Sequence, residues 1–410
     1  MTLFAPLTLP NGTRIANRLA KASMEENMAD AEQSPSEALI RLYQRWAEGQ
    51  AGLILTGNVM VDGRAMTGPG GVVLEDDRHL GRFRLWAQAA RSHGAQVWMQ
   101  INHPGRQMPA ALGQQTWAPS AVALDLGGFS KNFALPREMG EGDIAEVQRR
   151  FVRTAQLAEQ SGFNGVEIHA AHGYLLSQFL SPLSNRRQDQ WGGPIENRAR
   201  LLLAIVKAVR AAVSPGFAVA VKLNSADFQR GGFSAEDAAR VVQMLNGLGL
   251  DLVELSGGSY EAPAMQGDAR DGRTLAREAY FLEFARDIAK VARMPLMVTG
   301  GIRRRAVAEQ VIGSGIAMAG MATALAIEPD LPRQWKNGVE AAPALRPVNF
   351  SNKVMGAAAV MAMVKAQLVR LSRGRRPKPG MSPVCALLRQ QLATRIRTQQ
   401  YRRWAAQQPA

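Results

Sequence analysis

The chain has 410 residues, 46% hydrophobic and 20% charged, a balance that fits a soluble globular protein and excludes a disordered one. Cys385 is the single cysteine, which excludes an internal disulfide and a cysteine-ligated iron–sulfur cluster, since the latter needs about four thiolates. The net charge of +15 sits at one end, where residues 341–410 hold thirteen Lys and Arg and no acid, against 36 basic and 34 acidic side chains in the first 340 residues; the body is near neutral and no nucleic-acid partner is indicated.

In chain order, the first twenty residues lack a charged start followed by an unbroken apolar run. No signal peptide is read there, and a cytoplasmic location is expected. Leu3 to Asn17 carries Pro6, Pro10 and the turn pair Asn11-Gly12 between short apolar runs. This predicts a hairpin able to plug one end of a barrel. Strand-like and helix-like segments then alternate. Strands are predicted at Arg18–Ser23, Gly52–Gly57, Gln96–Ile101, Gly165–Ile168, Ala218–Leu223, Leu252–Leu255, Leu296–Thr299 and Ile316–Gly320. Helices are predicted over 36–50, 78–93, 143–161, 195–213, 235–248, 277–291, 304–313 and 329–338. Asp143 and Ser234 are read as N-caps, with the acids Glu146 and Asp237 three residues on. Eight strand–helix pairs at this spacing predict an α/β fold, a (β/α)8 TIM barrel over residues 1–340. The alternative is a doubly wound sheet, weakened by the lack of GxGxxG after the first strand. The loop from His103 to Gly142 is long and proline-rich, and a loop of that length in a compact domain is usually functional.

From residue 341 to 410 the pattern becomes a basic helical C-terminal extension. Val354 to Leu371 has about the minimum length of a membrane span, but Lys365 interrupts it, so no transmembrane span is expected. Arg373–Pro379 reads as a basic linker. Pro383 to Trp404 reads as an amphipathic helix, with Val384, Leu387, Leu388, Leu392 and Ile396 recurring among Arg389, Arg395, Arg397, Arg402 and Arg403. Such a helix lies on an anionic membrane, packs on a partner subunit such as a second copy, binds RNA weakly, or docks back on the barrel.

Chemistry concentrates between Gly162 and Arg198. The apolar run Gly165–Ile168 leads into His169 and His172, with Tyr174 two residues further on. Polar groups at the carboxyl end of a buried strand are the usual layout of an α/β active site. As a zinc site the pair lacks the HExxH glutamate, and the chain has only five histidines. As structure, one core histidine would be unremarkable. As neutral donors, two imidazoles could grip a carbonyl, carboxylate or nitro oxygen while a phenol supplies a proton. Lys222, inside a predicted strand, is hard to place as structure alone, because burying an unpaired ammonium is costly. Gly300-Gly301 after the seventh strand offers backbone amides to an anion.

The run HAAHGYLLSQFLSPLSNRRQDQWGGPIENR resembles the signature of the Old Yellow Enzyme family of FMN-dependent ene-reductases. It is most similar to the branch that includes NADH:flavin oxidoreductases and NADH oxidases. The resemblance covers roughly Leu3 to Trp335. It implies FMN over the carboxyl ends of the barrel strands, NADH or NADPH as hydride donor, and a small unsaturated carbonyl or nitro substrate. Oxygen as acceptor is the alternative it leaves open. By this resemblance His169 and His172 would hold the substrate's electron-withdrawing group and Tyr174 would donate the proton. Gln100 matches a glutamine that hydrogen-bonds the flavin pyrimidine ring, in a stretch where His103, Gly105 and Arg106 also fit. Lys222 matches a position, usually Arg, at the flavin N1–O2 edge, and Gly57 a small residue close to the ring. Gly300, Gly301, Ala322 and Thr323 would surround the phosphate. Many members have Gly-Arg in place of Ala322-Thr323, so the phosphate arginine is missing here; Arg303 is the nearest substitute. The family's Pro-Met reads Ser23-Met24. The next residue, often Thr or Cys, is Glu25, a carboxylate that would disfavour flavin reduction unless turned away or bound by something else.

Overall fold

Eight parallel strands close on themselves in the computed structural model, which describes residues 2–264 and 278–408. In chain order they are Leu19–Lys21, Leu53–Met60, Gln96–Asn102, Gly165–Ala170, Ala218–Asn224, Leu252–Ser256, Leu296–Val298 and Met318–Met321; they are called first to eighth below. Each pairs with its sequence neighbours, and the ring closes where the eighth meets the first at Ala319↔Leu19 and Gly320↔Ala20. The expected (β/α)8 barrel is therefore the observed fold, and the doubly wound sheet is not.

Side chains alternate along each strand. At the amino-terminal end the inward set is apolar: Ala20, Leu53, Leu55, Trp98, Ala218, Ala220, Leu252, Met297 and Met318 form one cluster with Leu7, Leu9 and Ile15. The last three come from the hairpin Leu7–Thr8 and Arg14–Ile15, which plugs that end as predicted. Two residues further along, the same faces turn polar, with Gln100, Glu167, Lys222 and Glu254. Another step brings Asn102, His169, Asn224 and Ser256, all buried. This switch from apolar to polar makes the floor of the site.

Helices Glu37–Ala47, Leu80–Arg91, Glu141–Gln160, Arg200–Ala212, Ala235–Leu245, Leu282–Ala289, Arg305–Gly313 and Leu331–Lys336 surround the strands. Their apolar faces join outward strand residues such as Ile54, Val97, Val166, Val219 and Val253 in the main core. Ser234 caps as predicted, its hydroxyl accepting the Asp237 N–H at 3.1 Å. Asp143 does not: the helix starts at Glu141 with Gly140 as N-cap, and Asp143 accepts the Gly140 N–H at 2.8 Å. An acid three residues in serves the helix start as well as one at the cap, so the sequence pattern alone does not separate Gly140 from Asp143 as the cap. The predicted helix 195–213 divides into Ile195–Arg198 and Arg200–Ala212. At the break Arg198 turns in to meet Asp237 at 3.0 Å and the Gly193 carbonyl at 3.0 Å. Residue 277, the first of the predicted helix 277–291, lies outside the described residues.

The extension folds back on the barrel. Helix Lys353–Ser372 packs against Glu37–Ala47 and buries Ala359, Ala362, Met363, Leu368 and Leu371. By length and composition it is the one helix among the described residues long and apolar enough to cross a membrane. Helix Pro383–Ala405 buries Tyr401 and Trp404 beside Met60, Met66, Val73, Met108 and Leu112. The Tyr401 hydroxyl donates to the Gly63 carbonyl at 2.9 Å. Val384, Leu388, Leu392 and Ile396 of this helix face outward, 49–62% exposed.

Candidate active site

Strand register assembles the floor. Gln100 lies beside Glu167, and Lys222 lies between His169 and Glu254. Gln100 Nε2 donates to Glu167 Oε2 at 2.7 Å, and its Oε1 accepts from Ser23 Oγ at 2.8 Å. The amide is thereby fixed in one orientation. Lys222 Nζ lies 2.6 Å from Glu254 Oε1. Burial alone would favour the neutral amine. The carboxyl groups of Glu254 and Glu167 overrule it and raise the Lys222 pKa, so the ammonium persists. Burial first, then the charge of Glu254, raises the Glu167 pKa above its ordinary value, against the opposing pull of Lys222 and of the Gln100 hydrogen bond. Sequence reasoning found Lys222 without either acid. The signal was present: Glu167 and His169, like Lys222 and Asn224, and Glu254 and Ser256, are spaced by two within apolar strands and so share an inward face.

The next layer carries the histidines. His169 Nδ1 accepts the Ala171 N–H at 3.2 Å, which leaves the proton on Nε2. His172 adopts φ 62°, a left-handed backbone that costs a side-chain-bearing residue free energy. It is held there by its N–H to Asn224 Oδ1 at 3.1 Å and its carbonyl from Gln107 Nε2 at 2.9 Å. Its Nε2 is 2.7 Å from Ser256 Oγ. The His169 ring centre lies 5.0 Å from that of His172 and 4.9 Å from that of Tyr174, edge to face in both cases. The three expected residues are thus brought together. Burial first, then neighbouring positive charge, pushes His169 far below its ordinary pKa and His172 to about 3. Both rings are neutral at pH 7. The Tyr174 phenol is displaced upward by burial, then by Tyr260 and Glu25, so it keeps its proton.

A cleft of 420 Å³ opens above these layers. On the barrel side it is lined by Ser23, His172, Lys222, Gly300, Gly301, Ala322 and Thr323, and on the other side by Leu345 and Val360 of the extension. Gln100 reaches this surface through its hydrogen bond with Ser23, whereas Met24, Gly57, His169 and Tyr174 do not line it. A Cβ at Gly57 would lie 2.0 Å from Glu26 Oε2 and 2.2 Å from the Met24 carbonyl oxygen, so the wall's own packing requires glycine there. A larger cleft of 690 Å³ lies among Arg45, Asp330 and Arg375, and none of His169, His172, Tyr174 and Lys222 lines it.

Glu25 is not left without partners. Its carboxylate accepts from the Thr67 hydroxyl, and Lys365 Nζ lies 3.5 Å from Oε2. Lys365 also donates to Asn27 Oδ1. The acid that looked out of place is therefore paired with Lys365 of the extension, across 340 residues of chain. Arg303 lines the cleft, with its Nε 3.3 Å from Glu278 Oε1.

The N–H groups of Gly300, Gly301 and Thr323 donate to no acceptor among the described residues. Free amides and an ammonium on one cleft, with an oriented amide and a hydroxyl behind, suit a ligand carrying a phosphate and a ring that accepts negative charge. FMN has those two parts, and the residues fit it.

Fold and site together define a barrel oxidoreductase built around a flavin. The chain belongs to the NADH:flavin oxidoreductase / NADH oxidase family, whose pattern matches residues 2–342. It is 37% identical over 350 residues to an NADH-dependent flavin oxidoreductase of Hypocrea jecorina (strain QM6a), covering 80% of this chain and 87% of that protein. It is 39% identical over 353 residues to an NADH-dependent flavin oxidoreductase of Neonectria sp. (strain DH2), with 80% of this chain matched to 46% of that longer protein. It is 33% identical over 331 residues to the NADH oxidase of Thermoanaerobacter brockii, covering 79% of this chain and 49% of the relative. Among solved structures, a 2-naphthoyl-CoA reductase in complex with 2-naphthoyl-CoA superposes with a TM-score of 0.75 at 26% identity, covering 82% of this chain and 52% of that one. The Old Yellow Enzyme homologue of Zymomonas mobilis superposes with a TM-score of 0.72 at 24% identity, covering 84% and 95%, and supports the fold.

Proposed function

We propose that this chain passes hydride from NADH or NADPH to the activated C=C bond of an enone, nitroalkene or enoyl ester. The observation that carries this reading is the cluster of two neutral imidazoles and one protonated phenol, with ring centres 4.9–5.0 Å apart, above an ammonium at the barrel mouth. FMN, when bound, supplies the hydride chemistry. Lys222 stabilises negative charge on the flavin ring, and the amides of Gly300, Gly301 and Thr323 receive the phosphate. Gln100 would present a fixed amide to the cofactor, and Ser23, Met24, Gly57 and Ala322 would be its uncharged neighbours. The His169 and His172 N–H groups bind the substrate's carbonyl or nitro oxygen and stabilise the charge that develops there. Tyr174 delivers a proton to the α-carbon.

In this reading residues 1–340 carry the chemistry and residues 341–410 wall the cleft. A cytoplasmic location follows from the nicotinamide donor. Oxygen as acceptor is the second reading, favoured by the similarity to an NADH oxidase. The outward stripe from Val384 to Ile396 on an acid-free extension further suits contact with an anionic membrane. Purified protein should show a flavin absorbance band, bleached by NADH or NADPH under anaerobic conditions and restored by an enone. No band, even after addition of FMN, would overturn the assignment. A band restored only by air would select the oxidase reading.

A further inference from the structure

The reading of Tyr174 as proton donor leaves a gap that a second tyrosine fills. Tyr174 is 6% exposed. Once it has given up its proton it is a phenolate in a place that penalises one, under burial and the charge of Glu25. The neighbouring imidazoles are neutral and carry no spare proton. Tyr260, in the loop after the sixth strand, has its hydroxyl 3.1 Å from that of Tyr174. Tyr260 is only half-buried, so it is the member of the pair nearer solvent.

Its position is specified by the long loop from His103 to Gly142. The Tyr260 N–H approaches Gln107 Oε1 at 3.4 Å, and its ring packs edge-on to Phe133 at 6.2 Å. The next residue, Glu261, is paired with Arg106 at 2.6 Å and accepts the Asp125 N–H at 2.8 Å. Gln107, Phe133, Arg106 and Asp125 all belong to that loop. It therefore clamps Tyr260 over the donor.

We propose that Tyr260 is a proton relay that recharges Tyr174 from solvent in each turnover. The Tyr174 O–H bond breaks as the α-carbon C–H bond forms. The Tyr260 O–H bond breaks as the Tyr174 O–H bond re-forms, and one proton taken from bulk solvent re-forms the Tyr260 O–H, so each turnover consumes one solvent proton with the hydride. No electron moves in the relay; the electron pair of the reduction travels with the hydride to the β-carbon. Coupling the two transfers avoids an isolated buried phenolate beside a carboxylate.

The test uses full-length holoenzyme with 2-cyclohexen-1-one as probe. Tyr260→Phe removes one hydroxyl and should slow flavin reoxidation by the enone on the order of tenfold or more, and more than it slows bleaching by NADH. Tyr260→His, which can again donate and accept, should restore most of the loss. An independent readout needs no turnover. The chain has five tyrosines, so protein labelled with ¹³C at tyrosine Cζ gives a spectrum simple enough to assign. Tyr260→Phe should displace the Tyr174 resonance. An enone rate within twofold of the parent, or an unmoved Tyr174 resonance, overturns the relay. Loss of rate in Tyr174→Phe without loss in Tyr260→Phe sinks the relay alone, whereas an unaffected Tyr174→Phe sinks the donor assignment on which it rests.

Discussion

Lys222 shows how a single side chain can be functional and structurally dependent at once. Its ammonium survives burial because Glu254 lies 2.6 Å away and Glu167 is close behind. Lys222→Met leaves two acids facing each other in the barrel and should cost ~3–5 kcal/mol of stability. Adding Glu254→Gln should recover much of that loss, and denaturant unfolding of the single and double variants measures both. Equal instability of the two would mean the charge pairing is not what matters. Tyr174→Phe belongs to the same scale. Stopped-flow rates should fall about 10²-fold or more for flavin reoxidation by an enone, with a much smaller effect on flavin bleaching by NADH. His169, His172, Tyr174 and Lys222 were legible in the sequence because these residue types rarely end or occupy a barrel strand without a reason. Their partners were not. Ser256 and Asn224 are ordinary polar residues, and only strand register shows that they meet His172. Lys21, buried on the outer side of the first strand with Leu55 O at 2.8 Å and Glu26 at 3.5 Å, gave no local signal at all.

Among elements, the strands were legible because each buried strand is a short apolar run bounded by turn residues. Helix starts were less so, as the shift from Asp143 to Gly140 illustrates. The extension exposes the limit most plainly. Its helical period was readable, but the period alone does not say which face meets the barrel. Tyr401 and Trp404 decide it, filling a methionine-lined patch around Met60, Met66 and Met108. Trp404→Ala should therefore cost ~3 kcal/mol, read as a lower thermal midpoint with the flavin band retained. Leu388→Glu with Leu392→Glu lies on the outward face, 61% and 62% exposed. This pair should change stability by no more than ~0.5 kcal/mol while abolishing sedimentation with anionic vesicles. Pelleting that survives the double substitution would remove the membrane role from this stripe.

For the whole molecule, acid is the condition that bears on the site. Burial depresses His103 to about 4 and His172 to about 3, and it lowers His169 as well. Unfolding releases these rings to ordinary values near 6.5. Between the folded and unfolded values the unfolded chain binds more protons, so stability falls as pH drops from about 6.5 toward 3–4. Each such histidine adds up to about 1.4 kcal/mol per pH unit to that slope. Urea midpoints measured from pH 7 to pH 4.5 should show the decline, and His103→Gln should flatten it. An identical slope in the variant would rule His103 out as a contributor.

The pairing of Lys365 with Glu25 and Asn27, and of Tyr401 with Gly63, joins the last part of the chain to the first across some 340 residues. Time enters here, because a chain is made from one end. All eight strands precede residue 322, so the ring can close while the extension is still being synthesised. At about 5–20 residues per second, the stretch from Ala322 to Val360 takes roughly 2–8 s. During that interval the amides of Gly300 and Gly301 are formed, but Leu345 and Val360 have not yet arrived over them. The newborn protein thus has a period in which a phosphate-bearing flavin meets an unroofed berth, and translation itself acts as the clock that ends it.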